Sequence, residues 1–72
     1  MIIIEHKQDP GFKFCAFDVP AGWHIQLVDG IELVHEEVYR TAYEARGLAA
    51  VYGFDVIEFT AYAIGLANCN LK

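Results

Sequence analysis

Two of the three histidines, His24 and His35, are the residues of this chain best placed for metal chemistry. If Asp29-Gly30 forms a two-residue hairpin turn, they lie directly opposite each other on neighbouring strands. Facing residues of a sheet have Cβ atoms about 4.5–5.5 Å apart, so both imidazoles would reach one metal ion. Zinc needs at least a third protein ligand. The candidates for that ligand are Glu37, Cys15 and His6. A metal-binding protein is therefore one hypothesis, and two surface histidines on a solvated strand face are its alternative.

Cys15 paired with a histidine would supply a nucleophile and its base, but no family signature surrounds this cysteine. Its neighbours Phe14, Ala16 and Phe17 are typical of a small packing residue. The six glycines of the chain never group into a loop that could hold a phosphate. We therefore predict a non-enzymatic protein that uses no cofactor.

The segment His35-Glu36-Glu37 is the densest group of charges and, with Glu32, makes the fourth predicted strand acidic. Such a carboxylate patch would bind Lys or Arg side chains of a partner. The alternative is that charges on an edge strand discourage its pairing with other chains. Glu32 falls on the same strand face as Leu27, where a core residue is expected, and a register shift or β-bulge would relocate it.

The chain carries ten acidic and five basic residues, which gives a formal net charge of −5. Its basic residues are scattered, whereas nucleic-acid phosphates require clustered Lys and Arg. The sequence thus argues against direct nucleic-acid binding and favours a partner with a basic surface. The apolar N-terminal run is too short for a signal or membrane segment, so we expect a cytoplasmic protein with reduced Cys15 and Cys69. A disulfide between these two cysteines stays open.

Alternating apolar residues and turn signals predict an α+β fold in a single domain of residues 1–72. An antiparallel β-meander of four strands comes first, one helix at about 41–53 packs on one of its faces, and a fifth strand follows at about 55–60. The four strands of the meander are predicted at residues 2–7, 12–19, 23–28 and 31–39. Trp23, Ile25 and Leu27 share one strand face and are predicted core residues. The C-terminal tail, residues 61–72, is ambiguous between strand and short helix.

The predicted helix is apolar on both of its faces. Thr41 and Glu44 form a capping box at its start, and Gly53 supplies the left-handed residue beyond its end. The stripe expected to face the sheet consists of Ala45, Leu48, Ala49 and Tyr52. The opposite stripe, which water-facing helices fill with polar residues, consists of Tyr43, Gly47, Ala50 and Val51. A helix that is apolar all round is normally buried all round, and this outer stripe therefore predicts an interface.

The chain is 56% apolar, and a domain near this size buries only about 60% of the surface of its unfolded chain. We therefore predict a small acidic protein-binding module, with the outer stripe and several carboxylates meeting a partner. The predicted partner-binding residues are Tyr43, Gly47, Ala50, Val51, Glu36, Glu37 and Glu44. One alternative is a homo-oligomeric structural protein, such as a homodimer, in which a second copy covers the stripe. Another is that the chain's own tail covers it, through Tyr62, Ile64 and Leu66.

In its size and acidity the chain resembles phage-encoded inhibitors of bacterial defence, including anti-CRISPR proteins. The resemblance covers general composition and involves no motif. It implies an inhibitor of a nucleic-acid-handling complex that blocks a nucleic-acid channel with acidic groups. In this chain those groups would be Glu32, Glu36, Glu37 and Glu44.

Overall fold

The protein is a four-stranded antiparallel meander with one helix packed on it, as seen in a computed structural model that describes residues 1–57 and 59–61. The elements are β1 (Ile2–Glu5), β2 (Phe12–Val19), β3 (Gly22–Asp29), β4 (Glu32–Tyr39) and α1 (Ala42–Val51). The spatial order of the strands is β1-β2-β3-β4, so each strand pairs with its neighbour in sequence. The predicted α+β class and meander are confirmed.

The core lies between one face of the sheet and α1. Strand alternation directs Phe14, Ile25 and Leu27 towards the helix, where none of them is exposed to solvent. The helix contributes Ala45 and Ala49, which are also fully buried. Alanine side chains let the helix backbone approach the sheet closely. Each large core side chain then contributes about 1.5–3 kcal/mol through its burial.

Both ends of α1 are closed by local hydrogen bonds, although of the two bonds in the predicted capping box the described residues form only the one that Thr41 accepts. The Thr41 Oγ1 accepts the backbone N–H of Glu44 at 3.3 Å, which satisfies one free donor of the first turn. At the other end Gly53 has a φ of 84°, and its N–H donates to the carbonyl of Ala50 at 3.1 Å. The N–H of Phe54 donates to the carbonyl of Ala49 at 3.0 Å. This pair of bonds is a Schellman motif, and it turns Phe54 into the core.

The β3–β4 register differs from the predicted one, and the predicted facing of His24 and His35 is wrong. Asp29 pairs with Glu32, so the turn residues are Gly30 and Ile31 rather than Asp29 and Gly30. Gly30 is the first central residue of this turn and has a φ of 63°, whereas Ile31, the second, does not have a positive φ. A type II′ turn has this pattern and requires a glycine at the first position but not at the second.

A β-bulge then shifts the β3–β4 register again, between Leu27 and Val28. Val28 faces Leu33 while Leu27 faces His35, which leaves Val34 as the extra residue. The displaced turn alone places Glu32 opposite Asp29, exposed beside the turn, instead of opposite the buried Leu27.

The fifth strand predicted at about 55–60 is also wrong, because Ile57 and residues 59–61 are helical. The Asp55 Oδ1 accepts the N–H of Ile57 at 3.0 Å, and the N–H of Thr60 donates to the carbonyl of Val56 at 2.9 Å. Local capping thus starts a helical turn where β-branched residues indicated a strand. The turn buries Phe59 completely. The prediction for the tail falls mostly on residues 62–72, which lie outside the described residues.

Candidate protein-interaction surface

The outer stripe of α1 is exposed along its whole length. Tyr43 and Val51 expose 77% and 82% of their surface, and Gly47 and Ala50 between them are exposed as well. The stripe predicted to face the sheet is buried at its two alanines, half-buried at Leu48 and 37% exposed at Tyr52. The structure therefore brings the four apolar residues predicted for partner binding together on one open surface.

A shallow cavity of about 150 Å³ lies in the middle of this stripe. Its walls are Tyr43, Arg46, Gly47 and Ala50. The guanidinium carbon of Arg46 lies 5.5 Å from the centre of the Tyr43 ring, a cation–π contact that stiffens one wall. Gly47 keeps the cavity open, because it has no side chain to fill the space between Tyr43 and Ala50. Arg46 is a site residue that sequence reasoning missed, although its position three residues after Tyr43 puts both on one helix face.

Gly47 has no packing reason to be a glycine. A Cβ built on this residue meets no atom within 4 Å, and the backbone there is ordinary helix. A glycine inside a helix is less stable than alanine by about 0.5–1 kcal/mol. The fold therefore gains nothing from Gly47, whereas a ligand side chain seated in the cavity would gain the space that its missing Cβ leaves.

The three predicted partner-binding carboxylates do not form one patch. Glu36 lies on the sheet face away from α1, since its neighbour Glu37 is the residue that faces the buried Ile25. Glu37 and Glu44 both lie near Tyr39, between β4 and the start of α1. Burial raises the pKa of the Tyr39 phenol, and the nearby carboxylate of Glu37 raises it further.

Glu36 is held by two neighbours on β3. Its Oε2 accepts the amide N–H of Gln26 at 2.6 Å and lies 2.9 Å from the Nε2 of His24. These hydrogen bonds, with that from Gln26 the larger effect, lower the pKa of the Glu36 carboxyl. Glu36 is therefore an anchored anion on the open sheet face.

The three histidines lie in three separate environments. His24 contacts Glu36 on the open face, whereas His35 lies on the helix side, 3.3 Å from the Tyr39 hydroxyl. His6 donates its Nε2 hydrogen to the Tyr52 carbonyl at 3.1 Å and accepts the N–H of Gln8 at Nδ1. His6 thus links the end of β1 to the end of α1.

The arrangement on which the metal hypothesis depended is therefore not formed. His24 and His35 lie on opposite faces of the sheet. Among residues 1–57 and 59–61, no three His, Cys, Asp or Glu side chains lie close enough to hold a metal ion.

Cys15 is buried on the open side of β2, where it pairs with Ile3 of β1 and Gln26 of β3. Burial raises the pKa of the thiol, against a smaller opposing effect of Lys13. The protonated form is thus favoured over the thiolate that acts as a nucleophile. Cys69 is not among the described residues, so the disulfide between Cys15 and Cys69 that the sequence left open lies outside them.

Sequence reasoning also missed the apolar content of the sheet face away from α1. Ile3, Leu33 and Val38 lie on this face, each about half exposed. The sequence contains a signal for this face, because adjacent residues of β1 and β4 are both apolar. Adjacent strand residues point to opposite faces, so both faces receive apolar side chains. This open face is a second surface on which apolar side chains meet water.

No protein-family model, curated protein or solved structure matches this chain. In the described part of the chain, no helix is both long enough and apolar enough to cross a membrane.

Proposed function

We propose that this protein is a non-enzymatic binding module that recognises another protein through the outer stripe of α1. The observation that supports this function best is the exposure of Tyr43 and Val51, at opposite ends of a stripe with no charged member. Exposed aromatic and aliphatic residues that continue into a cavity are typical of interaction sites. Gly47, which keeps the cavity open, adds support, because it lowers helix stability with no gain in packing.

The proposed partner inserts an apolar side chain into the cavity and places its basic groups on the side of Glu44, because Arg46 in the cavity wall would repel them. The net charge of −5 attracts such groups, and Glu44 flanks the stripe in the first turn of α1. A finer proposal follows the resemblance to phage-encoded inhibitors of bacterial defence. In that role the module would occupy the basic nucleic-acid site of a nucleic-acid-handling complex, with carboxylates in place of phosphates.

Capture of partners from a lysate of the native host, followed by affinity measurement, tests the proposed stripe. Tyr43→Ala is expected to weaken binding at least about tenfold, because aromatic hot spots contribute 2 kcal/mol or more. Gly47→Ala is the sharper variant. It is expected to raise the free energy of unfolding by about 0.5–1 kcal/mol while it weakens binding, since the new methyl group enters the cavity.

Ile31→Ser is the matched control, because Ile31 is a fully exposed apolar residue in the β3–β4 turn, outside the stripe. Binding unaffected by Tyr43→Ala and Gly47→Ala, or weakened equally by Ile31→Ser, would exclude the α1 stripe as the recognition surface. Truncation after Ala61 tests the tail as the cover of the stripe. Unchanged folding and an unchanged oligomeric state would exclude that role.

The second candidate function is a homo-oligomeric structural protein, which the half-exposed apolar residues of the open sheet face favour. Two such faces packed together would hide Ile3, Leu33 and Val38. Light scattering during size-exclusion chromatography distinguishes the two candidates. A binding module for a different protein is expected to elute as a monomer at high concentration. A dimer that Val38→Lys dissociates would instead support the structural role.

A further inference from the structure

The outer edge of β4 is a third surface, and it pairs with no strand in the described part of the chain. β4 is eight residues long, ends the spatial order of the sheet, and pairs with β3 on its inner side alone. An edge strand presents a row of backbone N–H and C=O groups to any further strand. The edge at β1 has only four residues, whereas β4 offers five in regular register, residues 35–39, beyond its bulge at Val34.

The charge of β4 limits what can pair with it. The strand contains Glu32, Glu36 and Glu37, one histidine, and no Lys or Arg. A second copy of β4 laid along this edge would add three more carboxylates to the same ladder, and like charges across strands are destabilising. A strand that carries Lys or Arg would turn the same positions into attractive pairs.

The exposed apolar residues of β4 favour a partner strand over a single basic group as the occupant of this edge. Leu33, Val34 and Val38 each expose about half of their surface. Leu33 and Val38 lie on the open sheet face, whereas Glu37 lies on the helix side. A partner strand with alternating basic and apolar residues would cover them while its backbone extends the ladder. If the carboxylates only prevented other chains from pairing with this edge, the exposed apolar residues beside them would have no role.

We propose that the outer edge of β4 binds an extended basic segment of a partner protein by strand addition. Backbone hydrogen bonds supply the affinity, and the carboxylates select basic segments and exclude a second copy of this chain. The surface is separate from the outer stripe of α1, and the proposal does not depend on the function of that stripe.

The probe is a peptide of eight residues with alternating lysine and valine, titrated into the ¹⁵N-labelled protein. We expect amide exchange to slow in β4 and not in β1, because only the β4 edge gains a strand. A peptide of the same sequence with every backbone nitrogen methylated keeps its charge but cannot donate. It should bind at least about tenfold more weakly, since it loses every backbone hydrogen bond that the peptide would donate to β4.

Glu37→Lys should weaken binding of the lysine peptide several-fold. The control is Asp18→Lys, which makes an equal charge change at an exposed residue of β2 and should weaken binding less. Tyr43→Ala should leave peptide binding unchanged, so failure of the α1 proposal is distinguishable from failure of this one. Equal affinity of the methylated peptide, or protection outside β4, would reduce the contact to non-specific charge attraction and overturn the proposal. Protection of β4 that rises with protein concentration in the absence of peptide would assign the edge to a second copy and also overturn it.

Discussion

At the residue scale, Gly22 marks a point where the backbone of β3 lies very close to the end of β4. It begins β3 with a φ of 136°, a region that side-chain-bearing residues rarely adopt. A Cβ on Gly22 would fall on the carbonyl oxygen of Tyr39 and lie 2.9 Å from the Cα of Arg40. Backbone atoms cannot move aside as a flexible side chain can, so this glycine is required by the fold, in contrast to Gly47.

Gly22→Ala is therefore expected to lower the free energy of unfolding by about 2 kcal/mol or more, because it combines a strained φ with a backbone clash. Gly47→Ala is its matched control and is expected to raise the same quantity. Urea unfolding followed by the fluorescence of Trp23, which is buried in the core, measures both. Equal tolerance of alanine at the two positions would contradict the described end of the β3–β4 ladder.

At the element scale, the features that sequence predicts well are those closed by nearby residues. The ends of α1 are fixed by Thr41 and Gly53, whose capping bonds stay within a few residues of the chain. The β3–β4 register was not predictable in the same way. Gly30 fits a turn as its first or its second central residue, so the choice depends on cross-strand packing and on the bulge at Val34.

The segment after α1 shows how packing outweighs local preference. Val56 and Ile57 favour a strand, yet Asp55 caps a helical turn that carries Phe59 into the core. There the Phe59 ring lies 5.4 Å from that of Phe14, between ring centres, in an edge-to-face arrangement. Tertiary contacts of this kind do not follow from the periodicity of a short apolar run.

Phe59→Ala is expected to lower the free energy of unfolding by about 3–5 kcal/mol, because it removes a fully buried aromatic ring. Ile57→Ala changes a neighbouring side chain that is 75% exposed, and its effect should stay within about 0.5 kcal/mol. Thermal and urea unfolding of the two variants provide the measurement. The reverse order of effects would mean that Ile57, and not Phe59, faces the core.

At the scale of the whole molecule, the outer stripe of α1 and the open sheet face lie on opposite sides of the core that the described residues form. The α1 stripe was predictable, because periodicity alone separates Tyr43 and Val51 from Ala45 and Ala49. Which carboxylates lie together was not predictable, since the bulge determines the sheet face that each β4 carboxylate beyond it occupies. Glu36 is consequently separated from Glu37, although the two are adjacent in sequence.

The acid dependence of stability is expected to reflect two anchored carboxylates at distant points of the molecule. Hydrogen bonds from Gln26 and His24 lower the pKa of Glu36 below its ordinary 4.5. The backbone N–H of Ile57, followed by Lys7 at 3.2 Å, lowers the pKa of Asp55 below its ordinary 3.8. Since both pKa values are lower in the folded state, the stabilisation is complete above the ordinary values and is lost as the pH falls below them.

Urea unfolding of the protein and of two variants between pH 6 and about pH 3 tests this acid dependence. Glu36→Gln should make the loss of stability below pH 4.5 shallower, because it removes the titrating group. Gln26→Leu keeps the carboxylate but removes its strongest donor, and should have the same effect. If both variants lost stability as steeply as the original chain, the hydrogen bonds to Glu36 would not contribute to acid unfolding, and the carboxylate would be a free anion on the open sheet face.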